Sequence, residues 1–527
     1  MTGFDFFNGR RAAGFASGAM IATSHPLATS AGLRILSRGG NAYDAAIAAS
    51  AVQAVVDPLM TGIGGDCFAL VAGADGQVRA LNGSGQAPAA ATVEALREAG
   101  VGDHIPLDSA HGVTVPGAVS AWCRLHADMG SLPLAELFAP AIEYARAGYP
   151  VTPRVAFDWA AEAGRIGADP HAAKVFLPDG KAPVAGDRHA QPLLADRLEE
   201  IAQKGPEGFY GGETARSMVA HLNALGGLHT EQDFAGGADA AFWTDPISAT
   251  YRGHEVFECP PNGQGLAALV ILKIIEGFDM ASLSPADRVH VQAEATKIAY
   301  HHRDALIADA DACEGLVETL LSDRGIAAMR DRIDMTRAGE PALWDEVEHR
   351  DTIYLCVVDG QGNAVSFINS IFHPFGSTRL DPATGVLFQN RGASFRMDPT
   401  HPNAIAPGKR PMHTIIPGML RTDRGMMPFG VMGGHYQAAG HAAFLSGVID
   451  EEMSLQDAID RPRSFATEGR LDVEPTIPED VLADLAARGH RVNRVKGPIG
   501  GAQAIRPVAG GLEGGSDSRK DGMAAGI

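Results

Sequence analysis

The sequence predicts a layered α/β protein, and three observations carry that reading. Small and apolar residues dominate from His25 to Pro58, and the pattern is mainly helical from Ala91 to about Arg252. After residue 351 the texture changes to β-branched, apolar runs, DTIYLCVVD and AVSFINSI, joined by the turn GQGN. A last strand, MMPFGVM, leads through Gly433-Gly434 into the helical pattern HYQAAGHAAFLSGVI. Helices and strands in separate runs of one chain need layers that bury a shared core.

The elements follow in order. In AGLRILSRGG, Leu33, Ile35 and Leu36 form an apolar stripe that Gly39-Gly40 stops. Asn41 is placed to cap a second, Ala-rich helix running to about Val56. TGIGGD then reads as a tight turn before the strand CFALVAG. Asp75-Gly76 marks a hairpin, with QVRALNG returning. Helices are expected over Ala118–Met129, Pro133–Ala147, Ala195–Lys204 and Val289–Ala308. The stretch 309–350 ends in crowded charges, Glu340, Asp345, Glu346, Glu348, His349 and Arg350. That composition suits an exposed segment open to proteolytic processing.

Composition narrows the function classes. The 527 residues carry 43 Lys and Arg against 63 Asp and Glu, a formal net charge of −20. Such a chain repels phosphate backbones, so nucleic acid is not the expected partner. No apolar run approaches the roughly 18 residues of a membrane span, and Asp5, Asn8, Arg10 and Arg11 interrupt any secretory apolar region. The five cysteines are widely spaced and form no CxxC, which fits reduced thiols in a cytoplasmic protein.

Few motifs announce chemistry. TGIGGD lacks the spacing of a dinucleotide loop, and GxSxG and P-loop patterns are absent. His290, Glu294 and Lys297 share a helical face. With no HExxH and no second ligand pair, that face reads as polar packing rather than a metal site. Thr352 stands at the start of an apolar strand, directly after a charged linker. Taken alone, it is an ordinary β-branched residue at a strand start. A cut before it would add an α-amine with pKa about 7.7–8.0, placing nucleophile and base on one residue. Gly433 and Gly434 could then offer adjacent backbone N–H groups to an oxyanion.

At these residues the sequence resembles the γ-glutamyltranspeptidase family of N-terminal-nucleophile hydrolases. The likeness runs through SHPLATSAGLRILSRGGNAYDAAIAASAVQAVVDPLMTGIGGDCF, APAAAT, HGVTVPGAVSAW, PPNGQG, DTIYLCVVDGQGNAVSFINSIFHPFGS, PGKRPMHTIIP, FGVMGG and GSDSRKDG, in family order. The resemblance implies a four-layer αββα sandwich. It implies self-cleavage between Asp351 and Thr352, giving a large subunit of residues 1–351 and a small subunit of residues 352–527. Both would share one fused core, and a dimer of heterodimers stays open as an assembly. Thr352 becomes the nucleophile, Ser370 the supporting hydroxyl, and Gly433 with Gly434 the oxyanion site. No metal or organic cofactor is implied.

Departures from the family pattern point to the substrate. Ser84 stands where the family carries the arginine that holds a γ-glutamyl α-carboxylate. Phe372 replaces an asparagine, and Arg391 and Ser394 replace the Gln and Asp that hold the α-amino group. His413 and Thr414 replace paired serines. A buried substrate ammonium would then lack acceptors, at a cost of several kcal/mol. Arg391 instead offers a planar cation suited to a carboxylate. DTIYL, SIFHPFGS, QNRGASF and GVMGGHYQ resemble the oxamate amidohydrolase branch. The expected substrate is therefore a small anionic amide such as oxamate, bound by Arg391 in a pocket narrowed by Phe372. His413, Thr414 and Tyr436, with His435, are further candidates to line it. The alternatives are a γ-glutamyl hydrolase or transpeptidase, a side-chain amide acylase, and an unprocessed binding protein.

Overall fold

A computed structural model describes residues 6, 7, 9, 11–340 and 352–527. Two seven-stranded antiparallel sheets lie face to face between two layers of helices. One sheet runs in the order Met523–Gly526, Met20–Thr23, Ile353–Val358, Ala364–Ser370, Asp66–Ala72, Val78–Gly83, Phe242–Thr244. The other runs Gly14–Ala16, Gly511–Ser516, Gly501–Val508, Gly425–Met432, Gly418–Thr422, His254–Glu258, Ile247–Tyr251.

Strand alternation builds the layers. In Ile353–Val358 all six residues are buried, so both faces are covered. Ile353, Leu355 and Val357 join the core under the helices Pro26–Ser37, Ala42–Val56 and Ala118–Met129. Tyr354, Cys356 and Val358 point the other way and meet Phe257, Met419 and Ile505 of the second sheet. The outer face of that sheet, with Leu420, Met427 and Phe429, is covered by the helices Gly265–Ile275, Pro285–Leu306 and Tyr436–Ile449. This is the four-layer sandwich.

Local chemistry sets the element ends. Asn41 caps the Ala42–Val56 helix in a reciprocal box with Asp44, and every residue of that helix is buried. The helix expected from Val289 starts earlier, at Pro285, because the Ser284 hydroxyl caps it by accepting the Asp287 N–H and Pro suits the first helical position. Strands are not confined to the last third of the chain. Five of the fourteen sandwich strands come after residue 400, and seven others precede residue 260. The two strands Ile353–Val358 and Ala364–Ser370 sit at the centre of their sheet, flanked by strands from the first hundred residues. Among the described residues no helix is long and apolar enough to cross a membrane.

Candidate active site

Thr352 precedes the central strand and is buried. In the neighbouring strand Ser370 pairs across from Asp66, which brings its side chain to the same sheet end. Thr352 Oγ1 donates to Ser370 Oγ at 3.3 Å. Ser370 Oγ also accepts the Phe372 N–H at 2.9 Å. That bond holds Phe372 at φ 78°, a left-handed conformation that a bulky residue rarely takes.

The Gly433-Gly434 turn lies between the strand Gly425–Met432 and the helix Tyr436–Ile449. Gly433 has φ 122°, and a Cβ there would stand 2.8 Å from Gly500 Cα, so only glycine fits. The Gly433 and Gly434 carbonyls accept from Tyr436 and Gln437 N–H, the start of the helix. Gln437 then sends its side-chain amide back to Thr352 Oγ1 at 3.5 Å, the long limit of such a contact. The turn and the threonine are thus joined through one helical turn.

Arg391 lies in a short 3-10 turn, Arg391–Ser394, and is fully buried. Its guanidinium carbon sits 3.6 Å from the Phe372 ring centroid, and Nη2 donates to Thr414 Oγ1 at 2.7 Å. Ser394 turns away and donates to the Arg391 and Met412 carbonyls. Ser84, in the place of the family arginine, donates to Asn82 Oδ1 at 2.7 Å, and its carbonyl accepts from Arg410.

His413 is held on both sides. Ile415 N–H donates to Nδ1, so Nδ1 is unprotonated and Nε2–H donates to Asp66 Oδ2 at 3.1 Å. Burial, and next the nearby Arg391 charge, lower its pKa to about 4 against the pull of Asp66. The ring is therefore neutral near pH 7, and both nitrogens are engaged within the protein. Asp66 Oδ1 in turn accepts from Gly85 N, Gly117 N and Gln389 Nε2. The spacing of TGIGGD predicts only a turn. The carboxylate at its end was the available signal.

A cavity of about 390 Å3 opens beside Gly433, and His435, Tyr436, His373, Phe157 and Phe465 line it. His435 and Tyr436, at the start of the helix, are buried in the cavity wall. His290 and Glu294 meet His490, which lay beyond sequence reach. Lys297 pairs with Glu294 at 2.6 Å, and the two imidazoles bond each other at 2.8 Å. This cluster ties the 334–339 stretch to its helix through Asp334 O and Gly339 N–H. Asp351 lies outside the described residues.

The strand-start hydroxyl of Thr352 thus has a second hydroxyl beside it, Ser370, and is joined through Gln437 to the glycine turn. Residues 28–527 match the family model for gamma-glutamyltranspeptidase. The chain belongs to the gamma-glutamyltranspeptidase family. As a member it is an amide-bond hydrolase. It is 37% identical over 523 residues to the glutathione hydrolase-like YwrD proenzyme of Bacillus subtilis, covering 96% of this chain and 98% of that protein. It is also 37% identical over 525 residues to the oxamate amidohydrolase proenzyme of Klebsiella pneumoniae, with the same coverage. A solved cephalosporin acylase from Bacillus halodurans superposes with TM-score 0.94 at 41% identity, covering 100% of this chain and 99% of that one.

Proposed function

We propose that this gamma-glutamyltranspeptidase-family chain is a self-cleaving precursor of an amidohydrolase for small carboxylate-bearing amides, with oxamate the first substrate to test. Cleavage between Asp351 and Thr352 yields subunits of about 37 and 18 kDa out of 55.0 kDa. The freed α-amine takes the Thr352 hydroxyl proton as Oγ attacks the amide carbonyl. Gly433 and Gly434 N–H groups hold the oxyanion, and Ser370 orients the nucleophile. The carbon–nitrogen bond breaks, the amine returns the proton, and ammonia leaves. Water then opens the acyl-threonine ester, releasing oxalate from oxamate. The reaction takes place in the cytoplasm.

One observation supports this reading above the others. Arg391 is a fully buried cation seated on Phe372 and bonded to Thr414. A planar guanidinium favours a small carboxylate, and Arg391 and Ser394 stand where the family's acceptors for an ammonium would be. The test compares ammonia release from oxamate with p-nitroaniline release from a γ-glutamyl donor, using unmodified protein and Arg391→Ala. Oxamate turnover that disappears in Arg391→Ala is expected. Faster turnover of the γ-glutamyl donor would overturn the substrate assignment.

A second reading has its own support. The cavity beside Gly433 is far larger than two-carbon oxamate needs. The likeness to a cephalosporin acylase fits a bulkier amide whose amine portion fills that space. A panel of carboxylate-bearing amides with ammonia, alkylamine and bicyclic amine leaving groups separates the two.

A further inference from the structure

The carboxylate anchor and the oxyanion turn sit on different elements. Thr414 precedes the strand Gly418–Thr422, while Gly434 follows the strand Gly425–Met432. In a short acid amide the carboxylate and the scissile carbonyl are adjacent carbons. Any slack between anchor and turn would misplace the carbonyl oxygen, and a misplacement of about 1 Å can cost roughly 100-fold in rate.

A single side chain bridges them. Gln264 Nε2 donates to Thr414 O at 2.7 Å and to Gly434 O at 3.1 Å, and Gln264 N–H donates to His413 O at 2.9 Å. A glutamine amide works this way only with its NH2 facing the two carbonyls. Arg303 sets that orientation. Its Nη1 donates to Gln264 Oε1 at 2.8 Å, and a guanidinium has no acceptor with which to tolerate the flipped amide. The same Nη1 meets His435 Nδ1 at 3.1 Å, so Nδ1 accepts, and Tyr300 OH donates to the His435 carbonyl. Arg303 is fully buried, and its Nε donates to Asp304 at 2.6 Å. Three contacts therefore converge on Gly434 and His435, from Gln264, Arg303 and Tyr300, residues that the catalytic scheme does not use.

We propose that Gln264 and Arg303 are positioning residues that lock the acyl-carboxylate anchor and the oxyanion turn into one register. The proposal rests on the reading that Thr352 and the diglycine carry the reaction. Gln264 acts through the Thr414 and Gly434 backbones, and Arg303 acts by orienting Gln264 and the His435 ring.

The test uses the full chain with Gln264→Glu, Gln264→Leu, Arg303→Lys and Arg303→Met, measured on the best substrate of the unmodified enzyme. Glutamate keeps the shape and the bond from Arg303 but turns an acceptor toward both carbonyls. We expect kcat to fall about 10- to 100-fold with KM within about 3-fold, at a melting temperature that leaves the protein folded. Self-cleavage slows in parallel, because it uses the same threonine and turn. Arg303→Lys, which can still donate to Gln264, recovers part of the kcat lost in Arg303→Met. Wild-type kcat and cleavage rate in Gln264→Glu would overturn the proposal, as would a loss confined to KM. Should the Gln264 variants not fold, the lysine-against-methionine comparison decides, and equal rates there reject it. Cleavage without oxamate turnover in the unmodified protein rejects the substrate alone. A precursor that never cleaves rejects both readings.

Discussion

Arg391 sits over Phe372, its guanidinium carbon 3.6 Å from the ring centroid. The ring covers one face of the cation, and Thr414 Oγ1 fixes one nitrogen at 2.7 Å. The guanidinium is therefore held in place before any substrate arrives. Lysine carries the same charge but neither the plane nor the fork. Arg391→Lys is expected to raise KM for a carboxylate-bearing amide by at least about 10-fold, the loss of one good charge-assisted bond. Steady-state kinetics on oxamate check this. A lysine variant with unchanged KM would mean that the cation binds by charge alone or does not bind substrate.

In the proposed reaction Thr352→Ala removes both the attacking oxygen and the route to self-cleavage. The expected result is one band of 55.0 kDa on a denaturing gel and no amide turnover. Two bands from this variant would move the cut, and the nucleophile, elsewhere.

Ser370 bonds in two directions, accepting from Thr352 Oγ1 and from the Phe372 N–H. Its loss therefore disturbs both the nucleophile and the platform under Arg391. Ser370→Ala should lower kcat and raise KM together, while Ser370→Thr, which keeps the hydroxyl, retains part of both. A change in kcat alone would separate the hydroxyl from the Phe372 turn. The effect is read from initial rates over a substrate range on fully cleaved protein.

Much of the layering was legible because it is written locally. DTIYLCVVD announces a strand buried on both faces, and the structure covers both faces. The Asn41 cap and the helix after Gly433-Gly434 are likewise local signals. Contacts between distant segments leave no such trace. Gln264 meets Gly434 across 170 residues, and Asp66 meets His413 across 347. Nothing in the spacing of GGDC or PPNGQG states that partner. Early strands were undercounted for the same reason, since Met20–Thr23 is only four residues and gains its place by pairing with Ile353–Val358. In the sequence Arg303 is one more charge on a helix, and only packing buries it against Gln264 behind the Gly433-Gly434 turn.

Asp66 accepts four hydrogen bonds, from Gly85 N, Gly117 N, Gln389 Nε2 and His413 Nε2. A carboxylate offers lone pairs for all of them, whereas an asparagine must turn an NH2 group toward some of these donors. Asp66→Asn should destabilise the fold by about 2–4 kcal/mol and release His413 from its tautomer. Denaturant unfolding measures the first effect, and the imidazole nitrogen shifts in an NMR spectrum report the second. Retained stability would mean that the buried carboxylate is not the centre of that network.

Acid should unfold the protein earlier than its carboxylates alone would require. Burial is the first cause that lowers the pKa of His25 and His373 to about 3, and of His189, His229 and His413 to about 4. In the unfolded chain these rings titrate near 6.5. Above that pH they are neutral in both states and contribute no slope. Between about 6.5 and 4 the unfolded chain binds protons that the native state refuses, so unfolding becomes easier as pH falls. The melting temperature should hold steady from pH 8 to about 6.5 and then drop toward pH 4. Replacing one such ring by a neutral donor, as in His229→Gln, which can keep the bond to Val113 O, should make that drop shallower by close to one proton. Calorimetry at half-unit pH steps reads both. A flat melting temperature between pH 7 and 5 would mean that these rings become charged inside the folded protein.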